Sequence, residues 1–319
     1  MSKFALFNTT TVTYKTVNTH EIQLDVVVPK GIIPGAHPII LRFHGGALIT
    51  GTSLFEDWFP TWIIELARSR SVIIVSPNYR LLPESNGKDI LSDLEDAWSW
   101  VQSPTGLKDV LTSITQSRCE PDLARVIVTG ESSGGLLAMQ LGMTAQPGTI
   151  RAIIAHYPPL DLRAPWLAEP GEKHPMGFPT LPESIIDDYV AAMPPGSVIS
   201  SAPPPMKVEL MVSIMQHGRC LEFLGDETEV YPIDRLNHLA KANIAGRLMP
   251  PLWVLHGNQD TFVPVDASMA FVRRLQELRP NAEVLVSLKD GDHYFDKDFC
   301  LDNEWLKDGL DFVNNYWLK

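Results

Sequence analysis

Residues Arg125 to Gln140 read RVIVTGESSGGLLAMQ: an apolar, β-branched run stops against glycine and serine, and good helix formers follow at once. A strand that becomes a helix within one residue forces the turning residue into strained backbone geometry, which small neighbours relieve. Ser132 stands at that turning point, with Gly130 before it and Gly134 and Gly135 behind. Its hydroxyl would project clear of the sheet, while the N–H of Ser133 points outward from the new helix N-terminus. The pattern thus sets a nucleophile beside an anion site. A serine-rich helix cap has the same composition, so the partners of Ser132 decide between the two.

A serine hydroxyl attacks only when a neutral imidazole takes its proton and a carboxylate orients that imidazole. PLWVLHGNQD delivers Asp260 just after one apolar run, and AEVLVSLKDGDH delivers His293 just after the next. The order serine, acid, histidine is the one used with a GxSxG turn. Nine histidines are present, and His44 and His256 also sit at strand ends. His256 precedes the acid and is expected to be a hydrogen-bonded strand-end residue. Asp266 competes with Asp260 but is better explained as the N-cap of the following helix, and Asp290 and Asp292 read as turn formers. FHGGA supplies donors for a developing oxyanion: the N–H groups of Gly45 and Gly46 would join that of Ser133. Such a base works only when neutral, so activity should rise with pH through about 6.5.

Apolar β-rich runs recur at His37 to Gly46, Ser71 to Tyr79, Arg125 to Gly130, Arg151 to Pro159, Pro251 to Gly257 and Ala282 to Leu288. They read as doubly buried parallel strands. Amphipathic stretches such as Asp89 to Val101 and Ala267 to Leu278 lie between them, so the fold class is α/β, a mostly parallel sheet with helices on both faces. Thr10 to Pro29 alternates around a polar turn at Asn18, the pattern of an antiparallel hairpin on the sheet edge. The rhythm breaks between Pro158 and Met249, where prolines cluster and helical pieces are expected at Ser184 to Met193, Met206 to Gln216 and Asp234 to Ala245. A single domain over residues 1–319, with a cap inserted over about 160–245, accounts for this. Met206, Leu210, Met211, Ile214 and Met215 share one side of the middle piece, a stripe read first as core and second as an adaptable apolar surface.

The chain has 319 residues, 45% of them hydrophobic, enough for a large core. A net charge of −12 argues against nucleic acid or an anionic membrane as partner. Cys119, Cys220 and Cys300 are far apart and lack CxxC spacing, which suggests neither a disulfide framework nor a metal site. With only a four-residue apolar patch near the start and no apolar stretch of spanning length, a reduced, cytoplasmic setting is expected.

HGGA at His44 to Ala47, NYRLLPE at Asn78 to Glu84, DLARVIVTGESSGG at Asp122 to Gly135, YPPLDL at Tyr157 to Leu162 and GDHYF at Gly291 to Phe295 together identify a family. The sequence resembles the hormone-sensitive-lipase-like branch of the α/β-hydrolases, which includes arylacetamide deacetylases and many microbial and fungal esterases. The resemblance implies an α/β-hydrolase fold, a triad of Ser132, Asp260 and His293, and an oxyanion hole of Gly45, Gly46 and Ser133. It also implies a serine carboxylester hydrolase with a small-molecule ester substrate and no metal or organic cofactor. Glu131 and Asn78 to Glu84 look like architecture. The family commonly has a third glycine where this chain has Ala47, and aspartate and alanine at the positions of Glu131 and Ser133. The triple-glycine form is associated with crowded tertiary-alcohol esters. Small or medium hydrophobic acyl groups, in an ester or lactone of a specialised metabolite, fit the methionine-bearing insertion. Acyl transfer, thioester hydrolysis and a lyase reaction stay open on the same scaffold, and a non-catalytic ligand receptor would lack His293.

Overall fold

The computed structural model describes residues 2–116, 118–242 and 249–318. Its eight strands are β1 (Phe7–Val17), β2 (His20–Pro29), β3 (Gly35–Phe43), β4 (Ile73–Pro77), β5 (Cys119–Glu131), β6 (Ala152–His156), β7 (Leu252–Gly257) and β8 (Val284–Lys289), in the spatial order β1-β2-β4-β3-β5-β6-β7-β8. Asn18 takes a positive φ of 55° between β1 and β2, and this hairpin pairs antiparallel along the edge beside β4. Every other pairing is parallel.

The helices follow as α1 (Thr61–Ser69), α2 (Gly87–Gln102), α3 (Leu107–Ile114), α4 (Ser133–Thr144), α5 (Pro165–Ala168), α6 (Ser184–Ala192), α7 (Val208–Gln216), α8 (Cys220–Leu224), α9 (Pro232–Lys241), α10 (Val265–Leu278) and α11 (Lys307–Trp317). Side chains alternate across a strand, and the buried strands divide accordingly. Leu41, Val126, Val128, Ile153 and Val254 join one core with residues of α2, α3, α4 and α10, while Ile40, Ile127, Ile154 and Trp253 join a second with α1 and α11. Two covered faces explain why the central strands read as continuous apolar runs.

Four expectations need correction. β8 is an edge strand rather than doubly buried: its residues are mostly half-buried and Leu288 is exposed, because it pairs only with β7. Asp266 lies inside the first turn of α10, whose N-cap is Pro264. The helix expected over Asp234 to Ala245 is α9, starting two residues earlier at Pro232, and residues 243–245 lie outside the described residues. In the middle piece Leu210, Met211, Ile214 and Met215 are buried, whereas Met206 precedes the helix and is exposed. Among the described residues no helix is long and apolar enough to cross a membrane.

One buried ion pair ties the sheet together beneath Ser132. The Arg42 guanidinium donates to both Glu131 oxygens, at 3.1 and 2.7 Å, and to the Ser53 carbonyl at 2.8 Å, with Phe59 stacked 3.7 Å from it. Both side chains are buried. Removing one partner strands the other charge in a low dielectric, so Glu131→Ala should destabilise the fold by about 3–5 kcal/mol. Denaturant unfolding measures this, and a loss within error of zero would show the pair to be dispensable.

Candidate active site

Ser132 joins β5 to α4 with φ 55° and ψ −121°, a conformation costly for any residue with a side chain. Its N–H donates to the His156 carbonyl at 2.8 Å, and its carbonyl accepts the Leu136 N–H at 3.1 Å. The flanking glycines leave no room for anything larger: a Cβ on Gly130 would stand 2.3 Å from the Gly134 carbonyl, and one on Gly134 would stand 2.0 Å from the Phe43 oxygen. Among the described residues the Ser132 Oγ makes no hydrogen bond.

The loop after β7 and the loop after β8 meet at this end of the sheet. His293 Nδ1 lies 2.7 Å from Asp260 Oδ2. The other carboxylate oxygen accepts the N–H groups of Phe262 and Val263 at 2.9 and 2.7 Å. Burial alone would raise the Asp260 carboxyl, but the His293 imidazole, hydrogen bonds from His256 and His293 and the Val263 N–H together hold it well below the usual carboxylate range. The proton shared with Asp260 fixes His293 as the Nδ1–H tautomer. Nε2 is buried with no protein partner among the described residues. Phe262 stacks on the imidazole at 4.9 Å, and Tyr294 meets it edge-on at 4.7 Å. Both rings also wall the cavity that opens on Ser132.

Two residues given lesser parts by the sequence hold this arrangement. His256 places Nε2 3.2 Å from Asp260 Oδ2 while bonding the Val263 carbonyl and Ser268, so it is a second hydrogen-bonding partner of the acid as well as a strand-end residue. Asp292 accepts from the Thr261 N–H and hydroxyl and from the His293 N–H, at 2.7, 2.9 and 2.7 Å. It clamps the acid loop to the histidine loop. Sequence spacing carries no sign of the Asp292 contact, which joins separate turns through space, and the His256 contact depends on how the turn after β7 folds back onto its own strand. His44, the other strand-end histidine, is stacked on Tyr79 and desolvated, which pushes its pKa down to about 3 and keeps it neutral. The Tyr79 hydroxyl donates to the His44 carbonyl at 2.7 Å, so part of the NYRLLPE motif braces the glycine loop.

In that loop Gly46, Ala47 and Leu48 all have positive φ, 112°, 54° and 62°. A Cβ on Gly46 would lie 2.0 Å from the Thr50 carbonyl oxygen, and one on Gly45 would lie 3.4 Å from Ser132 Cβ. Among the described residues the N–H groups of Gly45, Gly46, Ala47 and Ser133 have no acceptor. Gly46 and Ala47 line the cavities at Ser132, as does Ser133, whereas Gly45 packs behind them. The Ala47 N–H is thus a further unpaired N–H beside the cavities, without a signal in the sequence because a non-glycine residue at positive φ leaves no mark there.

Two apolar cavities meet at Ser132. The narrow one, about 40 Å³, is bounded by Ala47, Leu136, Met215, Cys220 and Leu224. The wide one, about 420 Å³, is bounded by Trp58, Phe178, Val208, Met211 and Tyr294. Phe262 borders both. Among the described residues no cluster of histidine, cysteine and acidic side chains is arranged to hold a metal ion.

Comparison with known proteins agrees with this fold. Residues 40–198 match a family described by the alpha/beta hydrolase fold. A probable carboxylesterase, M8, from Phoma sp. is 32% identical over 99% of this chain and 98% of its own length. The non-reducing polyketide synthase Preu6 of Preussia isomera is 27% identical over 95% of this chain, a match that occupies 14% of the synthase. Esterase 2 of Thermogutta terrifontis shares the fold, with a TM-score of 0.59 at 18% identity over 97% of this chain and 94% of that one. The chain belongs to the α/β-hydrolase family, in its hormone-sensitive-lipase-like branch, and is a carboxylesterase-type serine hydrolase.

Proposed function

We propose that the chain hydrolyses carboxylic esters through an acyl-enzyme on Ser132. One observation carries the reading: His293, oriented by Asp260, keeps Nε2 free at the site where an unbonded serine hydroxyl stands beside unsatisfied N–H groups. His293 takes the Ser132 proton as Oγ attacks the ester carbonyl, and the N–H groups of Gly46, Ala47 and Ser133, with Gly45 behind them, hold the oxyanion. Collapse returns the proton to the departing alcohol, and water then repeats the sequence on the acyl-enzyme.

The leaving alcohol must lie within reach of His293, and the packing of Tyr294 against that imidazole supports the wide cavity, walled by Tyr294 and Trp58, as its site. The acyl group then fills the narrow cavity, whose size favours short chains. The interval between β6 and β7 acts as a cap, since Leu167, Met211, Met215, Cys220 and Leu224 come from it. The aromatic walls of the wide cavity and the likeness to a segment of a polyketide synthase support a bulky specialised metabolite as the alcohol part.

A p-nitrophenyl ester series tests this. Acetate and butyrate should turn over fastest, with water rather than added alcohol as acceptor, and a folded protein inactive on every chain length would overturn the reading. Met215→Ala removes part of the wall at the narrow cavity. It should move the acyl-chain optimum to longer esters, changing the ratio of kcat/KM values for octanoate and acetate on the order of tenfold. An unchanged ratio would remove the acyl group from that cavity.

A further inference from the structure

Tyr294 follows His293 directly, and its hydroxyl points back to the nucleophile. The hydroxyl oxygen lies 3.1 Å from the point where a Cβ on Gly45 would stand, and the same point is 3.4 Å from Ser132 Cβ. The ring lines the wide cavity together with Gly46 and Ser132. The residue is only 8% exposed, and its hydroxyl makes no hydrogen bond to the protein among the described residues, so it is available to a group bound in the cavity. The backbone is strained as well, with φ 62°, a genuine outlier for a bulky side chain. Trp58 stacks on the ring at 5.6 Å, and Tyr157 meets it edge-on at 5.4 Å. The surroundings therefore fix an aromatic ring in a costly conformation to leave one hydroxyl free beside Ser132 and the glycine loop.

We propose that the Tyr294 hydroxyl is a side-chain donor to the oxyanion, acting with the backbone N–H groups of the glycine loop and Ser133. The proposal rests on the ester-hydrolysis reading above. Burial, with the nearby Glu131 and Tyr79, raises the hydroxyl far above the ordinary tyrosine range, so it stays protonated and able to donate at every working pH. Gly45 is required beside it, since a side chain there would crowd the hydroxyl and meet the Glu131 carbonyl at 2.9 Å.

Tyr294→Phe keeps the ring and removes the donor. It should lower kcat about 10- to 100-fold on both p-nitrophenyl and alkyl esters, with KM changed by less than about twofold. The affinity of an anionic tetrahedral mimic, an alkyl trifluoromethyl ketone, should fall by the same factor as kcat/KM, while the melting temperature stays within error. A kcat/KM close to wild type would overturn the proposal. So would a loss carried by KM alone, or one confined to alkyl esters, which would place the donor on the leaving oxygen. Ser132→Ala assayed in parallel separates the two readings. Hydrolysis surviving in that variant sinks the serine mechanism itself, whereas a dead Ser132→Ala beside a fully active Tyr294→Phe sinks this proposal alone.

Discussion

Ser132→Ala should abolish ester turnover, lowering kcat by about 10⁶-fold, and leave the fold intact. The first half follows from chemistry, since the Ser132 hydroxyl stands at the turning point between β5 and α4, beside the free N–H groups of the glycine loop. The second half follows from the bonding. The Ser132 Oγ has no protein partner among the described residues, so its removal orphans no buried group. Alanine inherits the same positive φ and the same cost. Equal denaturation midpoints for wild type and variant, with activity only in the former, are the expected result. A destabilised variant would show that the hydroxyl has a structural partner as well.

Asp260→Asn should cost about 10⁴-fold in kcat. The carboxylate accepts from His293, His256 and the N–H groups of Phe262 and Val263, a purely accepting role that an amide cannot fill. If the amide oxygen faces the two N–H groups, the amide nitrogen faces His293 Nδ1 and imposes the wrong tautomer, turning an N–H toward Ser132. The pH dependence has a definite sign. The folded-state pKa of Asp260 is depressed, so its contribution to stability is present above the unfolded carboxyl value of about 3.9 and is lost as pH falls through the lower folded value. Between pH 5 and 8 the Asp260 charge is constant, so an acid limb in the activity profile over that range does not arise from it. A steep loss of stability between pH 7 and 5 that vanishes in Asp260→Asn would contradict this.

The residues at strand ends were the legible part of the site. Ser132, Asp260 and His293 each follow an apolar run and sit in a turn with its own composition, so each is recognisable from a few neighbours. Ala47, His256, Asp292 and Tyr294 were not legible, for two physical reasons. Ala47 and Tyr294 owe their placement to a backbone conformation that ordinary residues rarely adopt. His256 acts because the loop after β7 folds back onto its own strand end, and Asp292 acts across the loops after β7 and β8, 31 positions from Thr261. The fold divides in the same way. Apolar periodicity exposes the strands and α2 and α10, but strand order appears nowhere in the sequence, so the partial exposure of β8 emerges only once it takes the edge. Likewise the stripe of α7 marks its buried side, while the part played by Met211 and Met215 in the cavities depends on how the interval after β6 folds back.

The most direct measurement is the mass of the protein quenched within milliseconds of mixing with a p-nitrophenyl ester, followed by peptide mapping. The account predicts an added acyl mass on the peptide carrying Ser132, absent in Ser132→Ala and accumulating in step with the burst of p-nitrophenol. Hydrolysis at full rate with no acyl adduct, or an adduct on any other residue, would contradict it.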